Sequence, residues 1–360
     1  MTIFLFSLAF LGYVYFIGWI WRGCKQVQQQ QPLSGEDTPI KFSVIIAAHN
    51  EAENLPRLLE ALHRQNYPAE NFEVIIAADR CEDDTEAVAN SFKDRLPGLR
   101  IISIHAIPPG VSPKKHVLQT AIHQAAHEHL LFLDADVIPT DSHLRTYHRY
   151  FSSGAAAVVS LMKFHPPQSV FQKFLVYEKM VSWCIAGAGI GRRRPIIAYG
   201  GNWGYTRSAF EAVRGFEGIM HSLSGDDDLL LQKMGAQHLP IAFCLDEGGW
   251  IHTAAPATLR QFLRQRRRHF SAGKKYRPAV QFAYFCYHLL NLFLWTGWLF
   301  YLPGLGYLGA KLLADAILLR RGMAMFDEHV NPGEMLLFNG LYMLYNTVVG
   351  PLGHVGRIRW

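Results

Sequence analysis

Apolar and polar positions divide this chain into three regimes. Residues 2–21 form an unbroken apolar run without a charge, and Arg22 and Lys25 come directly after it. About 20 apolar residues suffice to cross a bilayer as a helix. No basic start or small-residue cleavage site marks a signal peptide, so residues 1–22 are expected to be an uncleaved anchor. The basic flank puts the chain beyond the anchor on the cytosolic side. Residues 26–38 turn polar, with a glutamine run, Pro32 and Gly35, and residues 23–38 are expected to be a linker.

From residue 39 to about 278 short apolar runs alternate with helical stripes. Residues 41–48 (KFSVIIAA), 72–78 (FEVIIAA), 99–105 and 129–133 (HLLFL) have the character of buried parallel strands. Leu55, Leu58, Leu59 and Leu62 recur at helical spacing, with Asn50 and Glu53 spaced as a capping box. Further helices are expected over residues 82–92 and 113–126, with Pro113 in the first turn of the second. Strands separated by helices predict an α/β domain: a mostly parallel sheet with helices on both faces, flanked here by transmembrane helices. Ligands of such sheets bind beyond the carboxyl ends of the strands. That directs attention to His49-Asn50-Glu51, Asp79 and Asp134-Ala135-Asp136.

The chain turns apolar again over residues 279–360, where two or three spans are expected. They lie over residues 279–301, 302–319 and 334–352. Lys311 and Asp315 fall inside the second, four apart, and can pair on one helix face. Arg320 and Arg321 mark a cytosolic end, whereas Arg357 and Arg359 sit awkwardly with an odd number of C-terminal spans.

Composition adds little. The 360 residues carry a formal charge of +6, which suits nucleic acid, anionic lipid or phosphorylated substrates. The dense basic run of residues 260–268 (RQFLRQRRR), extended by Lys274, Lys275 and Arg277, abuts an apolar span. That context favours a membrane surface and argues against nucleic acid. The five cysteines are odd in number, scattered and free of any CxxC, so neither a disulfide framework nor a structural zinc site is expected.

Two acidic clusters carry candidate chemistry. Asp134 and Asp136, two apart at a strand end, would share one face and could grip a hard divalent cation. Mg²⁺ is typically held by one or two carboxylates together with substrate phosphates. Asp226, Asp227 and Asp228 precede an apolar run; they could begin a helix or supply a general base. One arginine of the basic run could meet a diphosphate. Gly200-Gly201-Asn202 could form a tight turn near a substrate, and His123, His127 and His129 read as a solvated helix face.

Taken in order, these pieces resemble the family 2 glycosyltransferases of GT-A fold, over residues of about 40 to 270. VIIAAHNEAENLPRLLEAL is similar to that family's first strand and helix, and AADRCEDDTEAVA to its nucleotide-binding motif. The resemblance puts Asp79 on the donor base with Glu51 nearby. SPKKHVLQTAI resembles the lysine-bearing helix, with Lys114 the better match. LDADV resembles the family's DxD motif: Asp136 would be the principal metal ligand and Asp134 a second, facing the donor. GGNWGYTRSAF resembles the acceptor-side motif, with Gly201 and Asn202. GDDDLLLQK resembles the motif of the base, with Asp227 first and Asp226 second. QRRRH resembles QxxRW, so Gln265 and Arg268 would bind donor, while His269 stands where Trp is usual, on the acceptor side.

The resemblance implies an inverting glycosyltransferase using Mg²⁺ or Mn²⁺ and a nucleotide-sugar donor, a UDP-sugar first. The acceptor would be a lipid or glycan hydroxyl at the cytosolic membrane face, the plasma membrane if the source is bacterial. The competing class is a catalytically silent scaffold that binds sugar nucleotide or lipid. A dinucleotide-dependent oxidoreductase is disfavoured, because AAHNEAEN and not GxGxxG stands after the first strand.

Overall fold

Phe42, Val44, Ile45 and Ile46 are fully buried, as a β-branched run covered on both faces must be, and they open a twisted sheet. The computed structural model describes residues 1–32 and 39–353. In chain order the elements are α1 (Thr2–Gln29), β1 (Phe42–Ala48), α2 (Leu55–His63), β2 (Phe72–Asp79), α3 (Thr85–Asn90), β3 (Leu99–Ile104), α4 (Pro113–Gln124) and β4 (His129–Asp134). Next come β5 (Ile138–Pro139), α5 (His143–Ser152), β6 (Ala157–Val159), β7 (Met162–Phe164), α6 (Val170–Gly191), β8 (Asn202–Thr206), α7 (Arg207–Ala212) and α8 (Asp228–Ala236). The last are β9 (Ile241–Phe243), β10 (Ile251–Thr253), α9 (Leu259–Ala272), α10 (Pro278–Thr296), α11 (Gly304–Phe326) and α12 (Pro332–Leu352). By its contacts the chain divides into an α/β unit, residues 27–166 and 193–255, and a helical unit formed by the remainder.

In the α/β unit seven strands lie in the order β3-β2-β1-β4-β8-β6-β9. β1 pairs in parallel with β2 and β4, β2 with β3, and β6 with β9; β8 alone runs antiparallel, between β4 and β6. A second sheet has the order β5-β10-β7. Leu55, Leu58, Leu59 and Leu62 of α2 and Leu144 and Tyr147 of α5 join Val44 and Ile46 in one core. The mixed, mostly parallel α/β sheet is the expected one.

Some local expectations fail for identifiable reasons. Asn50 does not cap a helix: its φ is 56°, its side chain accepts from the Glu82 amide at 2.8 Å, and Asn54 is the N-cap of α2. α3 starts only at Thr85, where Asp83 accepts from the Thr85 amide at 3.0 Å. Asp136 does not share a strand face with Asp134, because β4 ends at Asp134 and Asp136 lies in the turn beyond.

The helical unit gathers α1, α6 and α9 to α12. α1 continues past the expected linker start to Gln29; residues 33–38 of that linker, and Arg357 and Arg359, lie outside the described residues. Gly23 lets α1 and α6 touch backbone to backbone, since a Cβ there would stand 2.6 Å from Cα of Ala188. Phe6 packs on Phe293 with ring centroids 4.7 Å apart, and Tyr13 stacks on Tyr287 at 5.6 Å. Lys311 and Asp315 pair at 2.7 Å as their spacing foretells. Asn339 joins them at 2.6 Å and 2.8 Å, and Tyr13 donates to Asp315. α6 and α9 are tied by Arg266 and Glu178.

Among the described residues α1 alone is long and apolar enough, by length and composition, to cross a membrane. The C-terminal helices α10, α11 and α12 have the length of spans. Lys311, Asp315, Arg320 and Arg321 dilute α11, and Tyr, Trp, His and Gln dilute α10. All five cysteines are free.

Candidate active site

The sheet topology itself assembles the site. β1, β2 and β4 run parallel, so Glu51, Asp79 and Asp134 emerge at one edge of the sheet. β8 runs the other way, with Leu133 opposite Asn202, so it brings Gly200 and Gly201 to that same edge. A Cβ on Gly201 would press into the Asp134 carboxyl and stand 2.8 Å from Cε of Met162. Only glycine lets the backbone pass this close to the carboxylate.

Lys114, in the first turn of α4, reaches both acidic clusters. Its Nζ lies 3.1 Å from Oδ1 of Asp134 and 3.3 Å from Oδ2 of Asp226. The DAD segment and the GDDD segment, far apart in the chain, are thereby joined through one ammonium. A Cβ on Gly200 would lie 3.1 Å from Asp227 Oδ2, 3.2 Å from Asp226 Oδ2 and 3.4 Å from Lys114 Nζ. Gly200 is therefore the floor on which the second cluster converges.

The three aspartates do different work. Asp228 starts α8 and accepts from the Ala198 amide at 2.7 Å. Asp227 is the N-cap of α8: Oδ1 accepts from the Asp228 amide at 2.7 Å and Oδ2 from the Gly200 amide at 2.8 Å. Asp226 spends no oxygen on another residue's backbone in these contacts and pairs instead with Lys114. Burial alone would raise its pKa, but the charges of Lys114 and Lys115, helped by hydrogen bonds to the carboxylate, hold Asp226 below the usual carboxylate range. Burial, and then the charge of Asp226, push Asp227 up to about 6. The two titrate as a pair.

Burial raises Asp136, and the neighbouring Asp134 charge raises it further. Burial likewise raises Glu51 against an opposing bond from Asn54, with smaller upward contributions from the charges of Asp136 and Asp134. Mutual repulsion of this kind is relieved by a cation. No group of three or more protein ligands is assembled among the described residues.

Asp79 is buried, and both its oxygens accept from the Arg80 fork, at 2.7 Å and 3.0 Å. Arg80 holds φ at 46°. Sequence reasoning passes over Arg80, although DRC after a strand end was its signal. It passes over Lys115 too, whose ammonium is buried beside Lys114.

Asn202 is fully buried. Its Oδ1 accepts from Tyr147 at 3.0 Å and lies 2.9 Å from His143 Nε2, while Nδ2 donates to the carbonyls of Leu161 and Gly249. With its polar atoms engaged inside the protein, it fixes the strand that presents Gly201. Gln265, Arg268 and His269 belong to α9 of the helical unit, where Gln265 and His269 are exposed. Arg266 of that run is only 11% exposed at its side chain, pairs with Glu178, and has Nη1 3.1 Å from His269 Nδ1.

The model of the family described as glycosyltransferase like family 2 matches residues 39–272. The poly(ribitol-phosphate) β-N-acetylglucosaminyltransferase TarS of Staphylococcus aureus is 30% identical over 97 residues, 27% of this chain and 16% of that protein. The glycosyltransferase AglE of Haloferax volcanii is 33% identical over 97 residues, 27% of this chain and 31% of its own length. The matched stretches are thus under a third of either relative. Among solved structures, the mannosyltransferase PcManGT of Pyrobaculum calidifontis, in complex with GDP-Man and Mn²⁺, superposes with a TM-score of 0.59. It is 18% identical, over 98% of this chain and 94% of that one.

Proposed function

This chain belongs to glycosyltransferase-like family 2, and on that premise we propose that it is a membrane-anchored inverting glycosyltransferase. Its fold is of the GT-A type. The observation that carries the proposal is the bridge of Lys114 between Asp134 and Asp226. It unites a carboxylate suited to a metal and donor with a carboxylate suited to a proton, at the strand edge where α/β folds bind ligands.

In this reading the donor's base meets the Asp79–Arg80 pair, and its phosphates displace the carboxylates from the Lys114 ammonium. Asp136 and Asp134 would hold Mg²⁺ or Mn²⁺; the raised proton affinity of Asp136 fits a cation that donor phosphates complete. Bound there, the ion supplies neutralising charge for the diphosphate. The acceptor hydroxyl attacks the anomeric carbon, its proton passes to Asp226, and the sugar–phosphate bond breaks with its electron pair on the departing diphosphate. Attack opposite the leaving group inverts the anomeric centre. Asp226 is preferred over Asp227 because Asp227 already spends both oxygens on backbone amides. For Gln265, Arg268 and His269 the support is the motif alone.

The acceptor is proposed to be a lipid or glycan hydroxyl at the cytosolic face of a membrane. α1 has the length and composition of an anchor. Phe282, Phe285, Phe300, Leu302, Leu313 and Leu336 of the C-terminal region are all more than half exposed, an apolar surface suited to lipid. Lys311 and Asp315 of α11 are turned inward to Asn339 and Tyr13, as membrane bundles require.

Purified full chain in detergent with Mn²⁺, offered a panel of UDP- and GDP-sugars, tests the proposal. Nucleoside diphosphate release from one donor, abolished by chelator, is expected. A chain that binds donors but releases nothing with any lipid or glycan acceptor would be a binding scaffold instead.

A further inference from the structure

Lys114 and Lys115 are neighbours in the first turn of α4, and their side chains have separated destinations. Lys114 reaches carboxylates. Lys115 is fully buried and donates to two backbone carbonyls, Ser222 at 2.5 Å and Ser224 at 2.9 Å. Both carbonyls belong to the segment that delivers Gly225, Asp226 and Asp227. Gly225 has φ of 82°, and a Cβ there would stand 2.6 Å from Leu229, so the chain turns sharply just before the acidic pair.

The same segment is held to the approach of α4 at two further points. The Ser112 amide donates to the Met220 carbonyl at 2.9 Å, and His221 Nδ1 lies 2.7 Å from the Gly110 carbonyl. The His221 contact is exposed, whereas Ser112, like Lys115, is buried. A buried ammonium is costly unless hydrogen-bonded, and here the two carbonyls supply those bonds. Its charge also faces Asp226 and Asp227. A buried donor serving two loop carbonyls fixes where the loop sits, and with it the carboxylates at the loop's end.

We propose that Lys115 is a positioning residue: by clamping the carbonyls of Ser222 and Ser224 it sets the placement of Asp226 for the acceptor proton. The inference rests on the transferase reading above. Lys114, in contrast, shares the carboxylates with the donor. The two lysines therefore divide donor binding from placement of the base, and their variants should fail differently.

The test compares Lys115→Met with wild type in the full chain, measuring donor affinity by calorimetry and turnover by nucleoside diphosphate release. The expected result is a loss of about 10²-fold in kcat, the scale of a misplacement near 1 Å, with donor stoichiometry and affinity within about twofold of wild type. A role in folding alone would lower the donor-binding stoichiometry and the rate together, and that result would overturn the proposal. So would an unchanged kcat. Should Lys115→Met not fold, Lys115→Gln, which keeps one donor group, is expected to give an intermediate kcat at unchanged affinity, and equal loss of both would overturn the idea. Wild type that binds donor without turnover takes down the transferase reading itself; active wild type with an indifferent Lys115→Met takes down this inference alone.

Discussion

The ammonium of Lys114 stands 3.1 Å from Oδ1 of Asp134, an ion pair between the start of a helix and the end of the strand that follows it in the chain. The two side chains are 21% and 37% exposed, so the pair contributes little to stability. Its significance is placement. The same nitrogen reaches Asp226, and a diphosphate entering between these groups finds a cation already aimed at it.

Asp226, the proposed base, is held below the usual carboxylate range, so it stays ionised, and turnover should not fall, as pH drops through about 6, where Asp227 takes up its proton. Stability should respond there. Folded Asp227 holds a proton more tightly than in the unfolded chain, whose aspartates titrate near 4. Protonation therefore stabilises the fold fully below about 4, and that contribution is lost as pH rises through about 6. Melting curves between pH 4 and 7 check it: Asp227→Asn should flatten the dependence, and an unchanged slope would place the titration elsewhere.

Gly201→Ala should disable the site without touching its chemistry. The added methyl would meet the Asp134 carboxyl and Met162, 2.8 Å away. Overpacking of this kind costs about 1–3 kcal/mol, and displacing Asp134 should lower kcat by about 10²-fold. Steady-state kinetics beside a thermal melt would show it; wild-type turnover would mean that the β8 edge has room to spare.

The helical unit offers an independent test of packing. Lys311 is buried with Asp315 and Asn339. Lys311→Met leaves the Asp315 charge unpaired, for an expected loss of about 3–5 kcal/mol, and Lys311→Met with Asp315→Leu should recover most of it. Detergent melts of the single and double variants decide the matter. A harmless single variant would imply water in the bundle.

Much of this was legible in the residues alone. β1, β2 and β4 announce themselves because β-branched and aliphatic runs buried on both faces leave no other reading, and with their order the strand-end acids emerge. α6 escapes, since no element is read over Val170–Gly191. Glu178 and Lys173 interrupt its apolar run, and each is matched by a partner far along the chain, Arg266 and Glu334. Asn202 looks like a substrate ligand because Gly-Gly-Asn says turn; that His143, Tyr147 and two carbonyls enclose it is set by elements distant in the chain. Three adjacent aspartates cannot be ranked from sequence, because their difference lies in which backbone amides each one captures.

The central claim is that Asp226 handles the acceptor proton while Asp136 serves the donor, and one paired measurement tests it most directly. Donor affinity by calorimetry in Mn²⁺ and nucleoside diphosphate release are measured on Asp226→Asn and Asp136→Ala. The account predicts that Asp226→Asn keeps donor affinity within about twofold and loses at least about 10²-fold in kcat, the lower bound for removing a general base. Asp136→Ala should lose metal-dependent affinity itself. Donor binding and turnover falling together in Asp226→Asn, or normal metal-dependent binding in Asp136→Ala, would contradict it.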